Sequence, residues 1–466
     1  MNMKRRQFLR KGIYAALGGA GICTALGNLR LVEAATRAYG ATAFNDYKAL
    51  VCVFLNGGND AMNTVIPYDD AAYQQYRQAR ATLAVSHAGL LPLTAQPGGG
   101  ASDGVRYAIQ ASTDATDTVG ASGLQQLFNT GRAAIVGNVG TLIRPTTKTD
   151  YLANRVEVPP QLFSHNDQQA YWQVSSTRGG DTGWAGRIAD VLHAANPDAF
   201  VPMGTSLNYE SILLRSQGGH QYVIGNEGAR QFSYLEWDAD IRSAYLALHA
   251  DDPQVSLFER SFAASFRRTR MTASSVDIAL TETSPLATAF PNENLATQLK
   301  MVARLIKVRA ALGMKRQIFF VSLGGFDHHD GLLTQHPRLL SQLSQALKAF
   351  HDATVELGVA EQVTTFTASD FGRTLSSNGD GSDHGWGGHH FAIGGAVRGG
   401  RFYGRMPELR NGGPDDVEAG RMIPTTSVDQ YAATLARWFG VSGSELDVVF
   451  PNLGNFESRD LGFMAV

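Results

Sequence analysis

The run Ala49-Leu50-Val51-Cys52-Val53-Phe54-Leu55 contains no polar residue. A strand with one wet face alternates polar and apolar side chains. A strand without alternation is buried on both faces, as inside a parallel sheet covered by helices. Ile318 to Leu323 and Val363 to Thr367 repeat the pattern, with shorter versions at Ala133 to Val136 and Phe391 to Ile393. Between them the spacing predicts helices. Leu295, Leu299, Val302, Leu305 and Ile306 share one face, as do Leu332, Leu339, Leu343, Leu347 and Phe350. Ser427-Val428-Asp429-Gln430 is a capping box that opens another helix. Strands alternating with helices predict an α/β fold with a mainly parallel central sheet covered on both faces. At 466 residues, 44% hydrophobic, the chain can bury a core that needs no disulfide or structural metal. Residues 35–466 read as one such domain, with insertions near 86–122, 141–161 and 196–290.

The ends of these strands carry the chemistry. The first run stops at Asn56-Gly57-Gly58-Asn59-Asp60, the Ile318 run at Gly324-Gly325-Phe326-Asp327-His328-His329, and the Val363 run at Ser369-Asp370-Phe371-Gly372-Arg373. Asp383-His384-Gly385-Trp386-Gly387-Gly388-His389-His390 leads into Phe391 to Ile393. Asp60 alone reads equally as a helix cap, and Asp370 as the partner of Arg373. Carboxylates and imidazoles crowded at several strand ends are what a divalent metal site requires, and strand carboxyl ends are where ligands bind in open α/β sheets. Adjacent residues cannot all face one ion, so one of His328 and His329 is expected to ligate and the other to pack or orient. His336 and His351, on a predicted helix, read as structural. Ser164 precedes His165-Asn166-Asp167 as an N-cap with a first-turn acid. A hydroxyl there also faces free N–H groups that favour an alkoxide or a bound oxyanion.

The N-terminus reads as an address. Lys4-Arg5-Arg6-Gln7-Phe8-Leu9 matches a twin-arginine export signal, an Ala- and Gly-rich apolar run follows, and Val32-Glu33-Ala34 suits cleavage after Ala34. Residues 1–34 are thus expected to be a signal peptide, with a periplasmic or secreted mature protein and no stable membrane span. Removing them takes away six cations and one acid, so the net charge moves from −2 to −7. An acidic chain without a basic stripe excludes nucleic acid as a partner. Cys52 is then the one mature cysteine, so no intrachain disulfide forms.

Several motifs in this order carry a resemblance. They are Asn56-Gly57-Gly58-Asn59-Asp60 with Pro67-Tyr68, Ser164-His165 with Asp167 and Tyr171-Trp172, and Thr182-Gly183-Trp184-Ala185-Gly186-Arg187. Phe326-Asp327-His328-His329, Ser369-Asp370-Phe371-Gly372-Arg373 and Asp383-His384 complete the set. Over most of the mature chain this resembles the exported bacterial proteins grouped as domain of unknown function 1501 (DUF1501). That family is similar in outline to the alkaline phosphatase and sulfatase superfamily.

The resemblance implies an alkaline-phosphatase-like three-layer α/β/α sandwich with metal-bound acids and histidines at strand ends. Asp60 matches the first-strand metal acid and Ser164 the place of the nucleophile. Asp327 and Asp370 match further metal acids, and His384, His389 or His390 the last histidine. Two departures stand out. Gly331 occupies the place of an expected histidine, so the imidazole has to come from His328 or His329. Phe371 occupies the place of a second ligand, which points to one metal instead of two, or none.

The expected function is therefore an exported hydrolase of phosphate or sulfate esters, small-molecule or glycan. It would use a divalent ion such as zinc, calcium or manganese, held among Asp60, Asp327, His328, His329, Asp370, Asp383, His384, His389 and His390. Ser164 is the candidate nucleophile. Arg373 is the candidate for gripping non-bridging oxygens, because a guanidinium matches them bidentately. The competing expectation is a non-catalytic cell-envelope protein that keeps the fold and a remnant cation site for a glycan or protein partner.

Overall fold

The structure is a computed structural model that describes residues 44–111, 122–175, 181–197, 199–229, 238–249 and 256–465. The export signal at 1–34 lies outside them. Nine strands form one sheet: β1 (Lys48–Leu55), β2 (Ala133–Gly140), β3 (Gly204–Leu207), β4 (Tyr222–Ile224), β5 (Arg316–Leu323), β6 (Val363–Ser369), β7 (Gly388–Gly394), β8 (Arg401–Tyr403) and β9 (Thr426–Ser427). The order is β8-β2-β7-β6-β1-β5-β3-β4, with β9 also on β2. β1 sits at the centre, parallel to both β5 and β6. Only β7 runs against the rest, antiparallel to β2 and to β6.

The apolar run of β1 has the predicted double burial. Ala49, Val51, Val53 and Leu55 enter one core, and Leu50, Cys52 and Phe54 enter the other. On the first face lie the helices α2 (Ser122–Asn129), α7 (Asn294–Lys307) and α8 (Leu332–Glu356). On the second lie α3 (His165–Val174), α4 (Trp184–Val191) and α9 (Val428–Phe439). Each large apolar side chain fully buried between these layers stabilises the fold by about 1.5–3 kcal/mol. The result is a three-layer α/β/α arrangement around a mainly parallel sheet. Ser427 closes its capping box onto Gln430 and starts α9 as predicted.

Some regions differ from the sequence reading. Residues 86–122 contain two strands, Leu90–Pro92 and Tyr107–Gln110. Tyr107–Gln110 pairs on one side with Val65–Pro67 and on the other with Leu90–Pro92, a small antiparallel sheet beside helix α1 (Asp70–Arg80). Part of that stretch, 112–121, lies outside the described residues. Between β4 and α7 run α5 (Ala239–Leu248) and α6 (Leu257–Glu282). Among the described residues no helix is long and apolar enough to cross a membrane.

Candidate metal centre

The parallel strands deliver their carboxyl ends to one edge, and the antiparallel β7 brings its amino end to that same edge. The loops after β1, β5 and β6 therefore meet the loop before β7. Close backbone approach fastens them together. Gly57 has φ +112°, and a Cβ there would stand 2.5 Å from Asp327 N. Gly58 has φ +83°, and its Cβ would strike the Phe371 ring at 2.5 Å. Any side chain at either position would push the Asp327 and Asp370 loops off the first strand end.

Asp327 is the centre of what assembles. Its Oδ1 lies 3.3 Å from His165 Nε2, 3.4 Å from His384 Nε2 and 3.1 Å from His329 Nε2. His329 and His384 bring their Nε2 atoms to 2.9 Å of each other. His165, Asp327 and His384 each offer a ligand atom within 4.8 Å of the other two. Donor atoms placed tetrahedrally ~2.1 Å from a common ion lie ~3.4 Å apart, so these spacings suit a metal.

The proton positions follow from the partners. His384 Nδ1 lies 2.7 Å from the Phe163 carbonyl oxygen, which can only accept. Nδ1 therefore carries the hydrogen, and Nε2 of the neutral ring keeps its lone pair. His165 Nδ1 lies 2.7 Å from Asp370 Oδ2, which fixes the same tautomer, and His165 Nε2 is buried with no hydrogen-bond partner. His329 Nδ1 lies 3.3 Å from Asp383 Oδ1. Each imidazole thus has an acceptor at Nδ1 and turns Nε2 toward one carboxylate oxygen, the outer-shell arrangement of metal-bound histidines.

Electrostatics agree with a site that attracts cations. Burial pushes the Asp327 carboxyl up, but Arg373, His165 and His329 outweigh it and hold it below the usual range. The Asp370 hydrogen bond leads the causes that raise His165; burial opposes it, and the charges of Asp370 and Asp327 add to it by favouring the protonated ring. A bound metal would compete with that proton. Burial lowers His384 and so favours its neutral form. Phe371 walls the cluster, stacking on His384 at 4.7 Å and lying 4.8 Å from His165. The Asp327 side chain stays 44% exposed, so the cluster opens to solvent.

Several sequence candidates stand elsewhere. Asp60 reaches the right edge but is fully buried and ion-paired with Arg80 of α1, so its carboxylate is already neutralised. It caps the turn Ala61–Thr64, accepting from Asn63 N at 3.3 Å. Asp370 stands behind His165, accepting also from Gly57 N at 3.2 Å and Gln169 at 3.0 Å. Asp383 likewise stands behind His329. His328 turns inward beside Phe326 and His336, with neither ring nitrogen hydrogen-bonded.

His389 and His390 are interior residues of β7. His389 Nδ1 accepts from Asn138 N at 3.1 Å, and His390 packs edge-on against Trp172. Arg373 is not free to grip a substrate. It is fully buried and spends its guanidinium on Asp327, Gly57 O and Ser382 O. The local Asp370–Arg373 pair does not form. Ser164 is the N-cap of α3, but its side chain makes no capping bond.

Two residues escaped the sequence reading. His165 was visible only as the neighbour of Ser164, although an imidazole in the first turn of a helix that starts at the sheet edge was the available signal. Arg80 lies 20 residues beyond Asp60 on an otherwise ordinary surface helix, and nothing local marks it.

A search of the curated proteins finds no match. Among solved structures the chain is similar to Ps i-CgsB in complex with k-i-k-neocarrahexaose, at 10% identity over 89% of this chain and 78% of that one, with a TM-score of 0.30. It is also similar to the PsFucS1 sulfatase from Pseudoalteromonas sp., at 11% identity over 89% of this chain and 72% of that one, with a TM-score of 0.32. The family model described as Protein of unknown function (DUF1501) matches residues 47–450, and the chain belongs to that family.

Proposed function

We propose that the protein is an exported, metal-dependent hydrolase of a phosphate or sulfate ester. His165, Asp327 and His384 would hold one divalent ion, with His329 beside them. The observation that carries this reading is the convergence of Nε2 atoms on Asp327 Oδ1 while the opposite ring nitrogens face acceptors. A donor set of imidazoles and one carboxylate fits zinc better than calcium, which prefers oxygen. When bound there, such an ion supplies Lewis acidity to an ester oxygen.

The chain's own residues supply the rest. Asp370 and Asp383 orient two of the imidazoles. Phe371 excludes water from one side of the cluster. The amino end of α3, which carries His165, presents unpaired backbone N–H groups suited to anionic oxygens. Ser164 stands at that helix start with a hydroxyl not used for capping and is the candidate nucleophile. Export rests on Arg5-Arg6 and the weakly apolar run after them.

The test is metal analysis of protein purified without chelator, together with assays on p-nitrophenyl phosphate, bis(p-nitrophenyl) phosphate and p-nitrophenyl sulfate. About one ion per chain, and hydrolysis that disappears in Asp327→Asn, is the expected outcome. Protein with no bound ion that also fails to take up zinc or manganese overturns the reading. One observation favours the competing envelope-protein role: Arg80 and Arg373, the guanidinium groups deep at this sheet edge, are both bound internally. Stoichiometric metal without hydrolysis of any ester tested would make that role the better one.

A further inference from the structure

A cavity of about 850 Å³ opens at the opposite end of the sheet. Met203 and Gly204 at the start of β3 line it, as does Asn196, whose amide bonds Lys315 N and Arg316 O at the amino end of β5. The candidate metal centre lies beyond the carboxyl ends, so the two places are separate. Helix α6 roofs the cavity and is tied down by Thr272, whose hydroxyl donates to Phe200 O at 3.0 Å. The volume falls in the ~300–1,000 Å³ range of small-molecule sites.

Its lining has a chemical direction. Val201, Met203 and Leu214 supply an apolar wall. Among the described residues the one acid on the wall, Asp190, is already engaged: its two oxygens accept from Gln217 N at 2.8 Å and Gly218 N at 2.9 Å. Arg268 lines the cavity from α6, and among the described residues it is paired with no carboxylate. Tyr222 on the edge strand β4 is 9% exposed, and its buried hydroxyl has no hydrogen-bond partner. A buried hydroxyl left unmatched costs free energy, which an acceptor atom of a ligand would recover.

We propose that this cavity binds a small amphipathic anion. The apolar body lies on Val201, Met203 and Leu214, the negative head faces Arg268, and an acceptor atom takes the Tyr222 hydroxyl. The probe is 8-anilinonaphthalene-1-sulfonate, titrated by fluorescence and calorimetry against the folded full-length mature protein. Decanoate and decyltrimethylammonium serve as competitors.

The expected result is one saturable site that decanoate empties and the cationic amphiphile does not. Arg268→Gln should weaken binding about tenfold and Tyr222→Phe about threefold to tenfold, the usual effects of losing a charged and a neutral hydrogen bond. Ala273→Trp, which fills the cavity from α6, should abolish it. Phe258→Ser, an exposed apolar position on α6 that does not line the cavity, should leave it unchanged. Equal affinity in Arg268→Gln and the parent, equal competition by the cation, or loss of the site in Phe258→Ser overturns the proposal. If Ala273→Trp does not fold, the Arg268 and Tyr222 variants decide the matter.

Discussion

Arg80 is the residue on which a single-cation site depends. Its guanidinium is fully buried, pairs with Asp60, and donates to Asn63 Oδ1 at 3.1 Å and Thr374 O at 2.7 Å. Arg80→Met keeps much of the volume and removes the charge. Asp60, with no exposed surface, is then left as an uncompensated carboxylate. Breaking a buried pair from one side costs about 3–5 kcal/mol, and the stranded Thr374 carbonyl adds about 1 kcal/mol or more. The expected loss is therefore roughly 4–6 kcal/mol, read from urea midpoints and thermal melting. Asp60→Asn in the same background removes the stranded charge. The double variant should accordingly be more stable than Arg80→Met alone, with a coupling of about 2 kcal/mol or more. Metal content should not fall in Asp60→Asn. A loss below about 1 kcal/mol, strictly additive effects, or loss of the bound ion in Asp60→Asn refutes the assignment of Asp60 as Arg80's structural partner.

Asp370→Asn leaves the cluster atoms in place but withdraws the carboxylate from His165 Nδ1, so metal affinity should drop about 10–100-fold; an unchanged dissociation constant would remove Asp370 from the outer shell. His384→Ala should lower bound metal far more than His389→Ala, since His389 is committed to Asn138 N; equal losses, measured by elemental analysis, would contradict that ranking. Acid lability has a definite sign. Burial lowers His336 and His390 to about 3 and His389 to about 4, from an ordinary value of 6.5. Their neutral forms therefore contribute stability that is fully present above pH 6.5 and lost as pH falls toward 3–4. Each contributes a slope of about 1.4 kcal/mol per pH unit in that window. Melting temperature should fall steeply from pH 6.5 to 5, and less steeply in His390→Phe; a flat profile over that range would exclude the mechanism.

The sheet was legible because its signal is local and strong. β1 has to be buried on both faces whatever surrounds it, and the parallel partners β5 and β6 carry the same signature. The amino end of β7 could be placed in the loop group, but its antiparallel direction has no local mark. Only the fold shows why a loop leading into a strand shares an edge with loops leaving other strands. The site was legible in kind and less so in membership. Asp327, His329 and His384 belong to motifs that stand out. His389 and His390 stand out equally, yet the pleat places them inside, because the strand begins at Gly388 instead of after them. Asp60, Asp327 and Asp370 look equivalent along the chain. They differ through partners contributed from far away: Arg80 on α1, Arg373 after β6, and His165 on α3.

Those partners also limit how many cations the edge can take. Three carboxylates near one another repel, and each needs compensation. Asp60 has it permanently from a buried guanidinium. Asp370 has the His165 N–H, the Gly57 N–H and the Gln169 amide, all on one oxygen. Asp327 has Arg373 on one side, while its other neighbours are imidazoles that carry no fixed charge. It is also the most exposed of the three. Adding an ion at Asp60 would require expelling Arg80 and leaving the Thr374 carbonyl without its donor. Adding one at Asp327 requires only that the imidazole Nε2 atoms around it be free of protons. The same residue types at three strand ends thus differ in what they offer a metal, because a buried guanidinium occupies Asp60 and one oxygen of Asp370 is filled from within the fold, its other oxygen staying buried with no partner, while Asp327 stays open.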